Sequence, residues 1–198
     1  MLRLKEHGGA VDFLTSDHHF GHKRISAFAG RGYDDRLDDM KEMMIQRWND
    51  VVSPSDTVLH LGDFALGPRS KTLRAAQRLN GVILFMPGNH DAVSQLCGGR
   101  RRKLYETHFV ELLPETGDRL VTAASNEAVV SHYPFDDPYA SDAMRALMPH
   151  DDGQVLLVHG HTHQRDTVRG RQFHVGVDSH DFLPVPAARV AEWIDANA

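Results

Sequence analysis

Short apolar runs separated by polar turns divide the chain. Val11 to Ser16 reads as a buried strand ending at Asp17. Leu37, Met40, Met44 and Trp48 recur at helical spacing with Asp and Lys between them, which predicts an amphipathic helix over Leu37 to Asn49. Ser53-Pro54-Ser55-Asp56 marks a turn, and Thr57 to Leu61 is a second strand running into Gly62-Asp63. Ser70 to Leu79 has helical character and is stopped by Asn80-Gly81. Val82 to Met86 is a third strand, followed by Pro87-Gly88-Asn89-His90-Asp91. A helix is expected over Leu96 to Thr107. The second half is richer in strands: Phe109 to Leu113, Arg119 to Ala124, Ala128 to Ser131, Val155 to Val158 and Gln172 to Val177, with a helix over Tyr139 to Met148. Pro186 suits the first turn of a closing helix, Ala187 to Ala196, that packs Val190, Trp193 and Ile194. Strand–helix alternation in the first half implies parallel strands joined by helical crossovers.

Composition adds limits. A chain of 198 residues suits one domain over 1–198 with a sizeable core. Its longest apolar runs are too short to span a bilayer. Arg3, Lys5 and Glu6 precede no apolar stretch, so no signal peptide is read. The single cysteine, Cys97, cannot form an internal disulfide, and a cytoplasmic location is expected. The net charge of −5 weighs against long nucleic acid as the substrate, while leaving that reading open. Histidine is the unusual count, at 14. It is the commonest side-chain metal ligand and a frequent proton carrier, so position decides its meaning.

The positions are telling. Asp17 and His19 follow the first strand, Asp63 the second, and Asn89, His90 and Asp91 the third. His132 follows a later strand, and His161 and His163 another. Sites in open α/β sheets form at the carboxyl ends of strands. Taken singly, each segment has an ordinary reading, because Asp and Asn after a strand often only make turns. Gly160-His161-Thr162-His163 is the most specific, since residues two apart in extended backbone point the same way. The weight lies in all five occurring together, in this order.

That set resembles the calcineurin-like metallophosphoesterase superfamily, whose signature runs Asp-x-His, Gly-Asp, Gly-Asn-His-Asp/Glu, a lone His, and Gly-His-x-His. The resemblance covers roughly Val11 to Asp178. It implies an α/β fold: a four-layer αββα sandwich of two mixed β-sheets flanked by helices. It also implies two divalent metal ions. Asp17, His19 and His163 would hold one, Asn89, His132 and His161 the other, and Asp63 would bridge them. Mixed nitrogen and oxygen donors suit manganese, iron or zinc, with manganese favoured. The implied chemistry is in-line attack at phosphorus by a hydroxide bridging the metals. His90 would assist the leaving oxygen, with Asp91 either orienting it or acting as a structural cap. His22 is a candidate substrate contact.

Where protein phosphatases of the family continue Gly-Asp-x-x-Asp-Arg-Gly, this chain has Leu66 and Gly67, which argues against protein-phosphatase activity. By analogy with small bacterial and phage members, the implied function is a phosphodiesterase on small diesters such as cyclic nucleotides. The partner is then a small phosphoester, a nucleotide among the candidates, with no membrane and an oligomeric state the sequence does not give. A phosphomonoesterase or nuclease with the same metal core is the alternative. A non-catalytic protein-binding module is disfavoured because all seven donor positions are present. His18 is expected to have a supporting or structural role, His60 and His159 to pack, and His174 to be an ordinary surface or core position, while Asp178 and His180 follow the last strand and could reach the site rim. Arg100 to Lys103 is expected to be a solvated face, and Tyr133 and Phe135 to pack in the core.

Overall fold

The computed structural model describes residues 1–198. In chain order the elements are β1 (Leu2–Leu4), β2 (Ala10–Val11), β3 (Phe13–Thr15), α1 (Ile25–Ala29), α2 (Leu37–Val51), β4 (Thr57–His60), α3 (Arg69–Thr72), β5 (Val82–Phe85), α4 (Arg102–Glu106), β6 (Glu111–Leu112), β7 (Asp118–Val121), β8 (Glu127–Val130), α5 (Asp142–Arg145), β9 (Leu157–His159), β10 (Val168–Arg169), β11 (Gln172–His174), β12 (Val185–Pro186) and α6 (Ala187–Asn197). The strands form two mixed sheets. One has seven strands in the order β10-β11-β9-β8-β7-β1-β2, the other five in the order β12-β3-β4-β5-β6. Helices surround them, as the expected sandwich requires. No helix is long and apolar enough to cross a membrane.

Side-chain alternation assigns the layers. On β4 and β5, Leu59 and Leu84 turn into one core with Leu2, Leu120, Val130 and Val158 of the other sheet. Their neighbours Val58, Ile83 and Phe85 turn the other way, onto Met40, Met44 and Trp48 of α2. The 3.6-residue stripe of α2 therefore covers the five-stranded sheet, while α6 adds Val190 and Ile194 to the core shared by both sheets and packs Trp193 against it.

Two parallel groups aim the chain at one edge. β3, β4 and β5 are parallel, with Thr15 opposite His60 and His60 opposite Phe85. β8, β9 and β11 are parallel, with Val130 opposite Val158 and His174 opposite His159. A bridge between Ser16 and Gly176 joins the two sheets just beyond β3 and β11.

Several expectations are corrected. The helix expected over Leu96 to Thr107 is broken: a 3-10 turn at Gln95–Cys97 is separated from α4 by Gly98, Gly99 and Arg101, all with left-handed φ of 61–81°. The helix expected over Tyr139 to Met148 shrinks to α5, because the Ser141 hydroxyl caps its start by accepting from Met144 N–H. The segment Ser70 to Leu79 is one turn of α-helix followed by 3-10 helix over Leu73–Arg78. β1 and α1 are additional elements that the apolar pattern does not announce.

Candidate metal centre

All seven expected donor residues stand on loops at the edge where β3, β4, β5, β8 and β9 end. The backbone there is unusual. Asp17 (φ 64°), His19 (53°), Asp63 (54°), His161 (72°) and His163 (53°) all adopt left-handed conformations. Such conformations cost on the order of 1–3 kcal/mol each and persist only where the surroundings fix them. The loops fix one another. A Cβ on Gly88 would stand 2.4 Å from Asp63 Oδ1 and 2.6 Å from the His132 ring, and one on Gly160 would stand 2.7 Å from Asp17 Oδ2. Glycine at these two positions lets the ligand loops close on each other.

Hydrogen-bond partners set which ring nitrogen of each histidine faces the centre. His132 Nδ1 lies 2.6 Å from the Leu61 carbonyl and donates to it, so Nε2 carries a lone pair. His161 Nε2 lies 3.0 Å from Asp137 Oδ2, which leaves Nδ1 as the lone-pair nitrogen. These two nitrogens and Asn89 Oδ1 form a triangle with edges of 3.0, 3.0 and 3.3 Å. Three acceptors crowded together without a proton between them repel. Donors bound at about 2.1 Å to one cation stand about 3–4 Å apart, which this triangle matches.

The second group is deeper. His163 Nδ1 lies 2.7 Å from Asp178 Oδ2, turning its Nε2 toward Asp17 and His19. Asp17 Oδ1 and both ring nitrogens of His19 are buried without a hydrogen-bond partner. Unpaired buried groups of this kind cost about 1–3 kcal/mol or more each, and a cation held by Asp17 Oδ1 and one His19 nitrogen satisfies two of the three. Asp63 Oδ2 lies 3.4 Å from His19 Nε2 and 3.7 Å from His132 Nε2, so one carboxylate oxygen faces both groups. The donor set thus fits two divalent cations around a shared carboxylate.

The electrostatics agree. Burial and the neighbouring Asp17 carboxylate push the Asp63 carboxyl well above the ordinary range. Asp17 is held low: burial opposes this, but His163, His132 and His19 outweigh it. Burial, then His163, pushes His19 down, so its imidazole is neutral and able to ligate. Without cations the two carboxylates resist ionising together.

The surrounding residues include some that sequence reasoning missed. Arg31 is buried and donates to both oxygens of Asp178 at 2.8 Å, to Asp17 O at 2.7 Å and to His18 O at 3.1 Å. Nothing in Gly30-Arg31-Gly32 signals this role. Asp178 lies deeper than a rim residue: it is buried between Arg31 and His163, and its place after β11 matches the strand-end rule that located the donors. Asp137 lies in a loop with no regular pattern.

The orienting role considered for Asp91 is not what the structure has. Both of its oxygens accept backbone N–H groups, from Asp63 (2.7 Å), Gly88 (2.9 Å) and Phe64 (3.3 Å), and Oδ1 also accepts from Tyr105 Oη. It makes no bond to the His90 ring. It is a buried clasp joining the Gly62-Asp63 loop to the Gly88-Asn89 loop.

His90 itself is exposed on the cleft side, its ring 5.3 Å from that of His19 and 6.1 Å from that of His22. Partial burial, then the imidazoles of His22 and His132, lower its pKa to about 4. His18 packs between Phe20 and Trp48 and pairs with His60 at 3.0 Å, and His159 and His174 are buried. Tyr133 is in the core with its hydroxyl on Glu115, and Arg100 to Lys103 are solvent-exposed, as expected.

Comparison with known proteins places this site in a family. The chain is 28% identical over 181 residues to Gene 66 protein of Mycobacterium phage L5, covering 84% of this chain and 86% of that one. It is 37% identical over 81 residues to the uncharacterized protein MJ1445 of Methanocaldococcus jannaschii, covering 40% of this chain and 46% of that protein. The crystal structure of AQ665 from Aquifex aeolicus, a protein of unknown function, superposes with a TM-score of 0.69 at 22% identity, covering 92% of this chain and 98% of the other, and so shares its fold. Residues 14–176 match the calcineurin-like phosphoesterase superfamily domain, and the chain belongs to that superfamily.

Proposed function

We propose that the chain is a dinuclear metal-dependent phosphodiesterase acting on small diesters, with Asp17, His19 and His163 holding one ion, Asn89, His132 and His161 the other, and Asp63 both. Metal-dependent phosphoester hydrolysis follows from the family. The observation that carries the reading is the convergence of lone pairs: three acceptors within 3.0–3.3 Å of one another on one side of Asp63 and partnerless buried donors on the other. When bound, the ions supply Lewis acidity and lower the pKa of water for attack at phosphorus. Mixed oxygen and imidazole donors of this kind suit manganese, iron or zinc better than magnesium or calcium, and manganese is our first choice of the three.

The protein's own groups do the rest. Asp63 turns one oxygen to both clusters while its other accepts the backbone N–H of His90 at 2.8 Å, which locks the bridging geometry. His90, neutral at pH 7, holds a proton on one ring nitrogen and offers it as a hydrogen bond to the leaving oxygen. His22 stands beside it as a substrate contact.

A diester is favoured over a monoester because the two guanidiniums packed against the donor loops, Arg31 and Arg69, are committed elsewhere. Arg31 is sealed against Asp178, and Arg69 donates to Gly67 O and His90 O. A dianionic monoester has more charge to offset than a monoanionic diester. The lone exposed Cys97 supports a reducing, cytoplasmic setting.

The test is chelation followed by manganese reloading, with parallel assays on chromogenic diester and monoester phosphates. The expected result is loss and recovery of activity, with the diester turned over faster. Dominant monoester hydrolysis overturns the diester preference, and full activity without metal overturns the whole reading. His90→Ala should lower kcat by about 10²–10⁴-fold while metal content stays unchanged.

A further inference from the structure

Beside the donor cluster lies a cleft of about 560 Å³ whose lining combines the imidazoles of His19, His90 and His163 with Ile25, Phe28 and Arg24. Phe28 is the anomaly in it. Its side chain is 77% exposed, although it lies one turn from buried Ile25 on the same short helix. An exposed phenylalanine in the wall of a site is a different matter from one scattered on an outer surface. Its ring stands 5.8 Å from that of His163 and nearly perpendicular to it, at 88°.

The backbone that carries the ring is also held in place. Arg165 donates to Ala29 O at 3.1 Å, Gly30 O at 2.9 Å and Asp178 O at 3.0 Å, fastening the end of α1 to the segment that carries Asp178. Arg31, immediately after that helix, is fixed to Asp17 O, His18 O and Asp178. α1 is thus fastened at its C-terminus to the loops that carry the metal donors, and the position of the Phe28 backbone relative to those donors is set by the fold. A rigid aromatic face beside a reacting centre binds a flat group with little ordering cost.

We propose that Phe28 is a stacking platform for the nucleobase of a nucleotide ester whose phosphate lies at the His19–His163 donors. The proposal rests on the phosphoesterase reading above and names its substrate class. A phosphate at those donors leaves this cleft as the neighbouring space for its organic group, and the cleft's outer wall is aromatic and apolar. Arg24 on the same lip adds a cation that stacks on or hydrogen-bonds to a base. Phe28 is then a specificity-determining residue, with no role in the bond-breaking step.

The test uses two substrates of equal charge, a nucleotide diester and a dialkyl phosphate diester, with the wild type, Phe28→Ala and Phe28→Trp. Stacking of one base is worth about 1–3 kcal/mol. Phe28→Ala should therefore raise KM for the nucleotide by roughly 5- to 150-fold, leave kcat and the dialkyl substrate unchanged, and be reversed by Phe28→Trp. In parallel, zinc-loaded protein is titrated with a 2-aminopurine nucleotide, because the filled d-shell of zinc leaves base fluorescence unquenched. Fluorescence quenching on binding by the wild type, lost in Phe28→Ala, supports the platform. An unchanged nucleotide-to-dialkyl ratio together with unchanged quenching overturns it while the phosphoesterase reading stands. Quenching that depends on Phe28 in a protein that cleaves no phosphoester keeps the platform and removes the catalytic reading. Substitution at so exposed a position does not threaten folding.

Discussion

The two halves of the centre are built differently. Asp17 and His19 are fully buried, and His163 is backed by Asp178, which is backed in turn by Arg31. His163 meets the cleft at 11% exposure, but the groups behind it, Asp178 and Arg31, are charged and have fully buried side chains. On the other side only His132 is buried: Asn89 and His161 are partly exposed, and the outer support is a single carboxylate, Asp137, about 14% exposed. One half carries Asp17 and a doubly supported histidine; the other is neutral apart from the shared Asp63. A buried, charged donor set holds its ion tightly. An open, neutral one leaves its ion a stronger Lewis acid. Metal titration should therefore fill two sites of unequal affinity, the deeper one first.

The largest effect expected is from Asp63→Ala, which removes the one group common to both halves. Activity should fall to background, and metal content measured after gel filtration should drop below two equivalents. A variant that stays fully active with two ions bound means that the halves are independent and that the bridge has no function.

Arg31→Met separates the halves by stability. The guanidinium is fully buried and satisfies Asp178, Asp17 O and His18 O together. Removing one partner of a buried ion pair costs about 3–5 kcal/mol because the other charge stays behind. For a chain of this size that corresponds to a Tm loss on the order of 10 °C, measured without metal by thermal denaturation. An Arg31→Met protein as stable as the wild type contradicts the view that the deep half is held rigid by its own ion pair.

The same asymmetry explains what the sequence reveals. Asp17, Asp63, Asn89, His132, His161 and His163 are legible because each ends an apolar run with a residue whose chemistry exceeds what a turn needs. α2 is legible because Leu37, Met40, Met44 and Trp48 repeat at 3.6 residues. Arg31 and Asp137 are illegible because their partners are 147 and 24 residues away and neither stands at a strand end. Asp91 misleads for a related reason: adjacency to His90 in sequence suggests a side-chain pair, whereas its carboxylate turns inward to backbone amides. The broken helix over Leu96 to Thr107 has its signal in plain view at Gly98-Gly99, where backbone freedom outweighs the apolar periodicity.

Asp137→Ala should give the smallest change, and a selective one. Asp137 Oδ2 accepts from His161 Nε2 at 3.0 Å, and that bond keeps the proton off Nδ1, the nitrogen that faces Asn89 and His132. Without it, His161 can adopt the other tautomer or rotate, and loss of such a supporting carboxylate typically weakens metal affinity by about 10–100-fold. The weakening should be confined to the open half. One ion should still bind with wild-type affinity, the second should need about 10–100-fold more metal, and thermal stability without metal should stay close to that of the wild type because both groups are near solvent. Equal weakening of both ions would show that the halves share one support. No weakening of either would mean that Asn89 and His132 fix the open ion without help from the loop beyond them.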